Sequence, residues 1–164
     1  MKRVFLFALL VGLSKAYAAY DVNGVALGAA EKDVRAKFPS ANCKPLEWRS
    51  RAADRRCDDS RITIGGVAAR VTFYLRQDKV EAFDVRFDAQ EVEKVIGHLK
   101  GRYGKPEAEQ RDTVGEPGKK ERRIVKVLWE TKAERALLTA QLDQRRGSLL
   151  VSRGGFDEEI YRVR

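Results

Sequence analysis

The 164-residue chain is poor in the residues that carry most catalytic and metal chemistry: it has one histidine and two cysteines. That leaves little for a zinc site or a Cys–His nucleophile pair, because both need several such side chains converging on one point. None of the serines Ser14, Ser40, Ser50, Ser60, Ser148 and Ser152 sits in a G-x-S-x-G or S-x-x-K arrangement. The glycines form no phosphate-cradling loop, since Gly65-Gly66 precedes a strand pattern and not a helix. Beyond the first residues no apolar run approaches the roughly 20 residues a spanning helix needs. The chain is therefore expected not to span a membrane. At 43% hydrophobic and 35% charged the composition is that of a globular chain and not of a disordered one. The length fits one or at most two small domains.

Export is the first positive reading. Lys2 and Arg3 precede an apolar run, Val4–Leu13, and Ala16-Tyr17-Ala18 is a small-x-small site. This is the pattern of a cleaved signal peptide over 1–18. Lys15 interrupts the run too early for a membrane anchor, and no cysteine follows the cleavage site to carry a lipid. Lys2, Arg3 and Lys15 hold three of the nine net positive charges, so the expected mature chain, 19–164, carries +6. A periplasmic or secreted location follows. Cys43 and Cys57 are then expected to form a structural disulfide. A redox pair usually has C-x-x-C spacing, which these residues lack.

Periodicity predicts the order helix, strands, helix, strands. Ala30, Val34 and Phe38 make an apolar stripe over Ala29–Phe38, ended by Pro39 and begun without a capping side chain. Cys43–Trp48, Arg55–Asp59 and Arg61–Ile64 read as short strands. Val67–Arg76 alternates strictly, as does Phe83–Phe87 after the turn Gln77-Asp78-Lys79. Asp88 and Glu91 make a capping-box pair before Val92, Val95, Ile96, Leu99 and Tyr103, and Gly104 and Pro106 end that helix. Further strands are expected at Glu107–Thr113, Ile124–Glu130, Arg135–Leu142 and Ser148–Arg153, with a loop over Val114–Arg123. The fold class is α+β: a mainly antiparallel sheet with two helices on one face. The halves 19–88 and 89–164 read as tandem helix-plus-sheet units of one domain.

The stretch Asn23-Gly24-Val25-Ala26-Leu27-Gly28, followed by Glu31, Val34 and Phe38, resembles the opening of a family of small exported modules. This family includes the β-lactamase-inhibitor protein and the small assembly subunit of the outer-membrane β-barrel machinery. Leu99–Pro106, followed by strands, is similar to the start of a second such unit. The resemblance implies a protein-binding scaffold and supplies no catalytic residues. The chain departs from it where Ala29 replaces the usual polar cap and where no lipid-bearing cysteine follows the signal.

For binding, the segment closed by the cysteines stands out. Trp48, Arg49, Arg51, Arg55 and Arg56 crowd it, and Trp and Arg are the types enriched at hot spots. The same residues also read as a solvated turn with Trp48 tucked into the core. Lys119-Lys120-Glu121-Arg122-Arg123 and Arg145-Arg146 are basic turns, suited to anionic lipid, glycan or acidic protein. Nucleic acid is not expected, since no aromatic ladder accompanies them. His98 reads as a helix-surface residue. Carboxylates such as Asp54, Asp58, Asp59, Asp84 and Asp88 leave a carboxylate-only hydrolase as a further alternative, which would need two acids across a cleft. The leading expectation is a non-enzymatic module that binds an envelope or secreted protein, without cofactor or metal. The alternative is a binder of an anionic envelope lipid or glycan.

Overall fold

A computed structural model describes residues 20–115, 118 and 121–160. The expected signal peptide, and Lys119 and Lys120 of the basic loop, lie outside the described residues.

Alternation of apolar and polar residues builds the sheet. A two-stranded ribbon, β1 (Asp21–Val22) and β2 (Val25–Ala26), leads into helix α1 (Glu31–Lys37). Four antiparallel strands follow: β3 (Asn42–Pro45), β4 (Arg55–Ile64), β5 (Val67–Arg76) and β6 (Lys79–Asp88). Helix α2 (Val92–Tyr103) comes next, then β7 (Ala108–Val114), β8 (Arg122–Glu130), β9 (Glu134–Gln141) and β10 (Arg146–Arg153). A short helix, α3 (Phe156–Glu159), ends the described chain. The fold is α+β with a mainly antiparallel sheet.

Each half supplies a helix and then a four-stranded meander. The meanders join through β6 and β10 into one eight-stranded sheet, in the order β3-β4-β5-β6-β10-β9-β8-β7. One set of alternating side chains packs with the buried residues of α1 and α2: Val71, Phe73, Val85, Val127, Leu138 and Leu149 share a cluster with Val34, Val95, Ile96 and Leu99. This apolar burial is the main drive for the fold. The opposite set faces a second, smaller cluster. There Tyr74 and Ala82 meet Phe156 and Ile160 from the α3 segment and Ala52 and Ala53 from the β3–β4 connection. The third helix is a departure from the expected two. Its four residues are too few to show helical periodicity in sequence.

Several local details differ from the sequence expectation. Helix α1 lacks a capping side chain at its N-cap Ala30, as expected, but the cap comes from a distant turn. Asp78 Oδ1 accepts from the Glu31 amide (3.2 Å), and Asp33 Oδ2 accepts from the Ala30 amide (3.0 Å). Before α2 the box between Asp88 and Glu91 is not formed. Asp88 Oδ1 accepts from the Gln90 amide over a single 3-10 turn, and Glu91 pairs with Lys94 instead. The strands expected at Arg55–Asp59 and Arg61–Ile64 are one strand with a bulge between Asp59 and Ile62. Arg122 and Arg123, expected in a loop, open β8. Cys43 and Cys57 are register partners across β3 and β4 and are joined as a disulfide.

Candidate binding surface

Because side chains alternate, the register fixes what lies across the face opposite α1 and α2. Positions directly opposite on neighbouring strands form rows that cross the sheet about 4.8 Å per strand. One row is Leu150–Leu137–Leu128, on β10, β9 and β8. All three leucines are half-buried, although their strand neighbours Leu149, Leu138 and Val127 fill the core. The result is an apolar stripe flanked by polar positions of the same face. Leu150 also packs against the second cluster, so the stripe starts at the patch covered by α3.

The adjacent row is Arg70–Arg86–Ser148–Thr139–Lys126, on β5, β6, β10, β9 and β8. Residues two apart on a strand lie about 6.7 Å from each other, so this polar row flanks the leucines closely. A groove of about 900 Å³ runs along it, with Arg70, Arg86, Arg145, Arg146, Thr139 and Ser148 among its lining residues. Its lining residues include four arginines and one acid, Asp88. Arg145 donates to that acid through its Nε (3.0 Å). With the Gln90 amide, it holds the Asp88 carboxyl below its ordinary value. Arg86 donates to Asp84 (2.7 Å), whose other oxygen accepts from the Ser148 hydroxyl (2.9 Å). Arg70 and Arg146 make no ion pair with a described residue.

The sequence-predicted loop site is split by the fold. Trp48 is half-buried in the second cluster and its indole N–H donates to the Ile160 carbonyl (2.9 Å). Arg56 projects onto the same face, pairs with Asp58 (3.1 Å) and lies over the Trp48 ring, 6.0 Å from its centroid. Arg55 shares the opposite face, where its Nε donates to Glu31 (2.7 Å). Only Trp48, Arg49 and Arg51 share a groove, one of about 670 Å³ that Arg76 and Asp54 also line. The five residues are thus not one patch, because consecutive residues of β4 point to opposite faces.

The remaining chemistry-bearing residues are held in structural contacts. His98 packs on the β4–β5 turn, where a Cβ on Gly65 would come within 2.7 Å of it. Asp54 accepts from the Gln77 amide (3.0 Å), Asp58 from Thr72 Oγ1 (2.7 Å) and Asp59 from Ser40 Oγ (2.6 Å). Glu31, Cys43 and Cys57 place metal-type atoms within 4.8 Å of one another. Their sulfurs are spent in the disulfide, and the carboxylate is shared between Arg35 and Arg55. Among the described residues no helix is long and apolar enough to cross a membrane.

Sequence reading missed the leucine stripe, yet its signal is present. Val127-Leu128-Trp129, Ala136-Leu137-Leu138 and Leu149-Leu150-Val151 each break the apolar–polar alternation with one extra leucine. Set against models of protein families, curated proteins and solved structures, the chain matches none of them.

Proposed function

We propose that the protein is a non-enzymatic, exported binding module that docks another protein on the sheet face opposite α1 and α2, beside α3. The observation that carries this reading is the row Leu128–Leu137–Leu150, an apolar stripe beside a polar, arginine-rich row. An apolar centre with a polar, Arg-containing rim is the anatomy of protein interfaces. The spread-out, hydrogen-bonded aspartates support a role without catalysis. The 1–18 segment and the Cys43–Cys57 disulfide support an oxidising, periplasmic or secreted setting. The resemblance of the Asn23–Gly28 opening to inhibitor and assembly modules points the same way. Trp48, Arg49 and Arg51 form a second contact at the rim, beside α3.

The test is affinity capture from envelope extract with the protein and its Leu137→Asp variant, at low and high salt. The reading expects one protein enriched at both salts and lost with the variant, while the variant keeps its thermal transition. Capture of only salt-labile lipid or glycan would favour the anionic-ligand alternative and refute docking on the stripe.

A further inference from the structure

The arginine row carries more than a generic rim. Arg70 and Arg86 are direct cross-strand partners on the open face. Like charges placed opposite each other destabilise a sheet, so the arrangement costs stability in the free protein. Asp84 offsets Arg86, but no acid among the described residues offsets Arg70. A bulge on β4 lies beside Arg70, and a second irregularity, between Tyr74 and Leu75, brings Arg70 opposite Arg86. Bulges of this kind re-aim side chains next to functional sites. Arg145 and Arg146 meet the same groove from the β9–β10 turn, where Arg145 adopts a left-handed conformation (φ 54°).

We infer that the segment docked on this face is acidic: a peptide stretch of the partner that sets aliphatic side chains on the Leu128–Leu137–Leu150 stripe and carboxylates on Arg70, Arg86 and Arg146. This rests on the docking proposal above and names the chemistry of its partner. Guanidinium forks bind carboxylates bidentately, so the groove supplies both charge and direction. The two rows are one strand repeat apart, about 6.7 Å. That spacing suits a chain presenting acidic and aliphatic side chains together. An acyl lipid fits the same surface poorly, because the stripe is three leucines wide and the groove beside it is lined by Ser60, Thr139, Gln141 and Ser148.

The probe is a labelled peptide alternating Glu and Leu, with a Gln–Leu peptide and phosphatidylglycerol vesicles as separate arms. Binding is read by fluorescence anisotropy for the peptides and by co-sedimentation for the vesicles. Arg70→Gln/Arg86→Gln should weaken the Glu–Leu peptide about five- to tenfold, the sum expected of two exposed ion pairs. Lys32→Gln/Lys37→Gln removes equal charge from exposed positions of α1, on the other side of the sheet, and should leave it within about twofold. Equal losses in the two variants would overturn the inference, since only net charge would then matter. So would tighter binding to the vesicles through Arg70 and Arg86, or indifference to Glu against Gln. The Leu137→Asp variant separates the two proposals. Glu–Leu binding that survives it but falls with Arg70→Gln/Arg86→Gln refutes the docking stripe and leaves the arginine site standing. The converse refutes the arginine site alone. All variants change exposed or half-buried side chains, and thermal melts check that each is folded.

Discussion

Removing the disulfide should cost about 3 kcal/mol of stability, and the loss should start at one place. The bridge closes a loop of sequence separation 14. In the chain-entropy treatment a loop of about 15 residues contributes roughly 3 kcal/mol. Apart from the bridge, Trp48, Ala52 and Ala53 pack the closed segment on the second cluster and its β4 end pairs with β5, so β3 is its weakest part. Strand β3 buries none of its four residues and pairs only with β4, at the edge of the sheet. The connection after it is tied back by the Leu46 amide to Asp54 and the Asp54 amide to Leu75. For a chain of this size, 3 kcal/mol corresponds to a fall of roughly 6–12 °C in Tm. The assay is thermal and urea unfolding of Cys43→Ala/Cys57→Ala, with amide exchange followed by segment. Exchange should accelerate over 42–54 and leave β5 and β6 protected, because those strands carry the apolar core. A loss below about 1 kcal/mol, or free thiols in the oxidised protein, would refute the argument.

Three other perturbations follow from single contacts. Asp78→Ala removes the cap that α1 borrows from the β5–β6 turn and should cost about 1 kcal/mol in urea unfolding; an unchanged midpoint would mean the contact contributes nothing. Arg55, followed by Arg35, holds the Glu31 carboxyl below its ordinary value of 4.5. A carboxyl lowered on folding stabilises the protein above its unfolded value and loses that contribution as pH falls through the folded one. Stability should therefore drop below about pH 4.5, and Glu31→Gln should flatten that part of the profile; an identical acid limb would count against it. Phe156→Ala should release the α3 segment from Tyr74, whose ring lies 5.4 Å away, and expose Trp48. Its emission should shift to the red while Trp129, buried and bonded to the Gly104 carbonyl, stays unchanged.

Much of the sheet was legible because its signal is local. Val67–Arg76 and Phe83–Phe87 follow alternation in their own residues, and the turns between β4, β5 and β6 are short. What escaped depends on residues far apart. The cap on α1 joins Glu31 to Asp78 and has no trace in the helix itself. Continuing the tight Gln77-Asp78 turn without interruption would not set Arg70 against Arg86. The irregularity between Tyr74 and Leu75 shifts the pairing by one residue and brings Arg86 opposite Arg70. The apolar pattern demands that shift, since it keeps Phe83 and Val85 in the core. The Trp48–Arg56 segment was readable as a cluster in sequence but not as a surface. Strand β4 starts at Arg55, so Arg55 and Arg56 separate to opposite faces. Leu137 is the instructive omission: its two neighbours satisfy the core, so the extra leucine is free to mark the open face.

The most direct measurement of the central claim is capture by the protein and by its Leu137→Asp variant, at matched concentration and in high salt. A single protein retained by the first and absent from the second, with both melting alike, is the predicted result. Equal capture by the two would contradict docking on the Leu128–Leu137–Leu150 stripe.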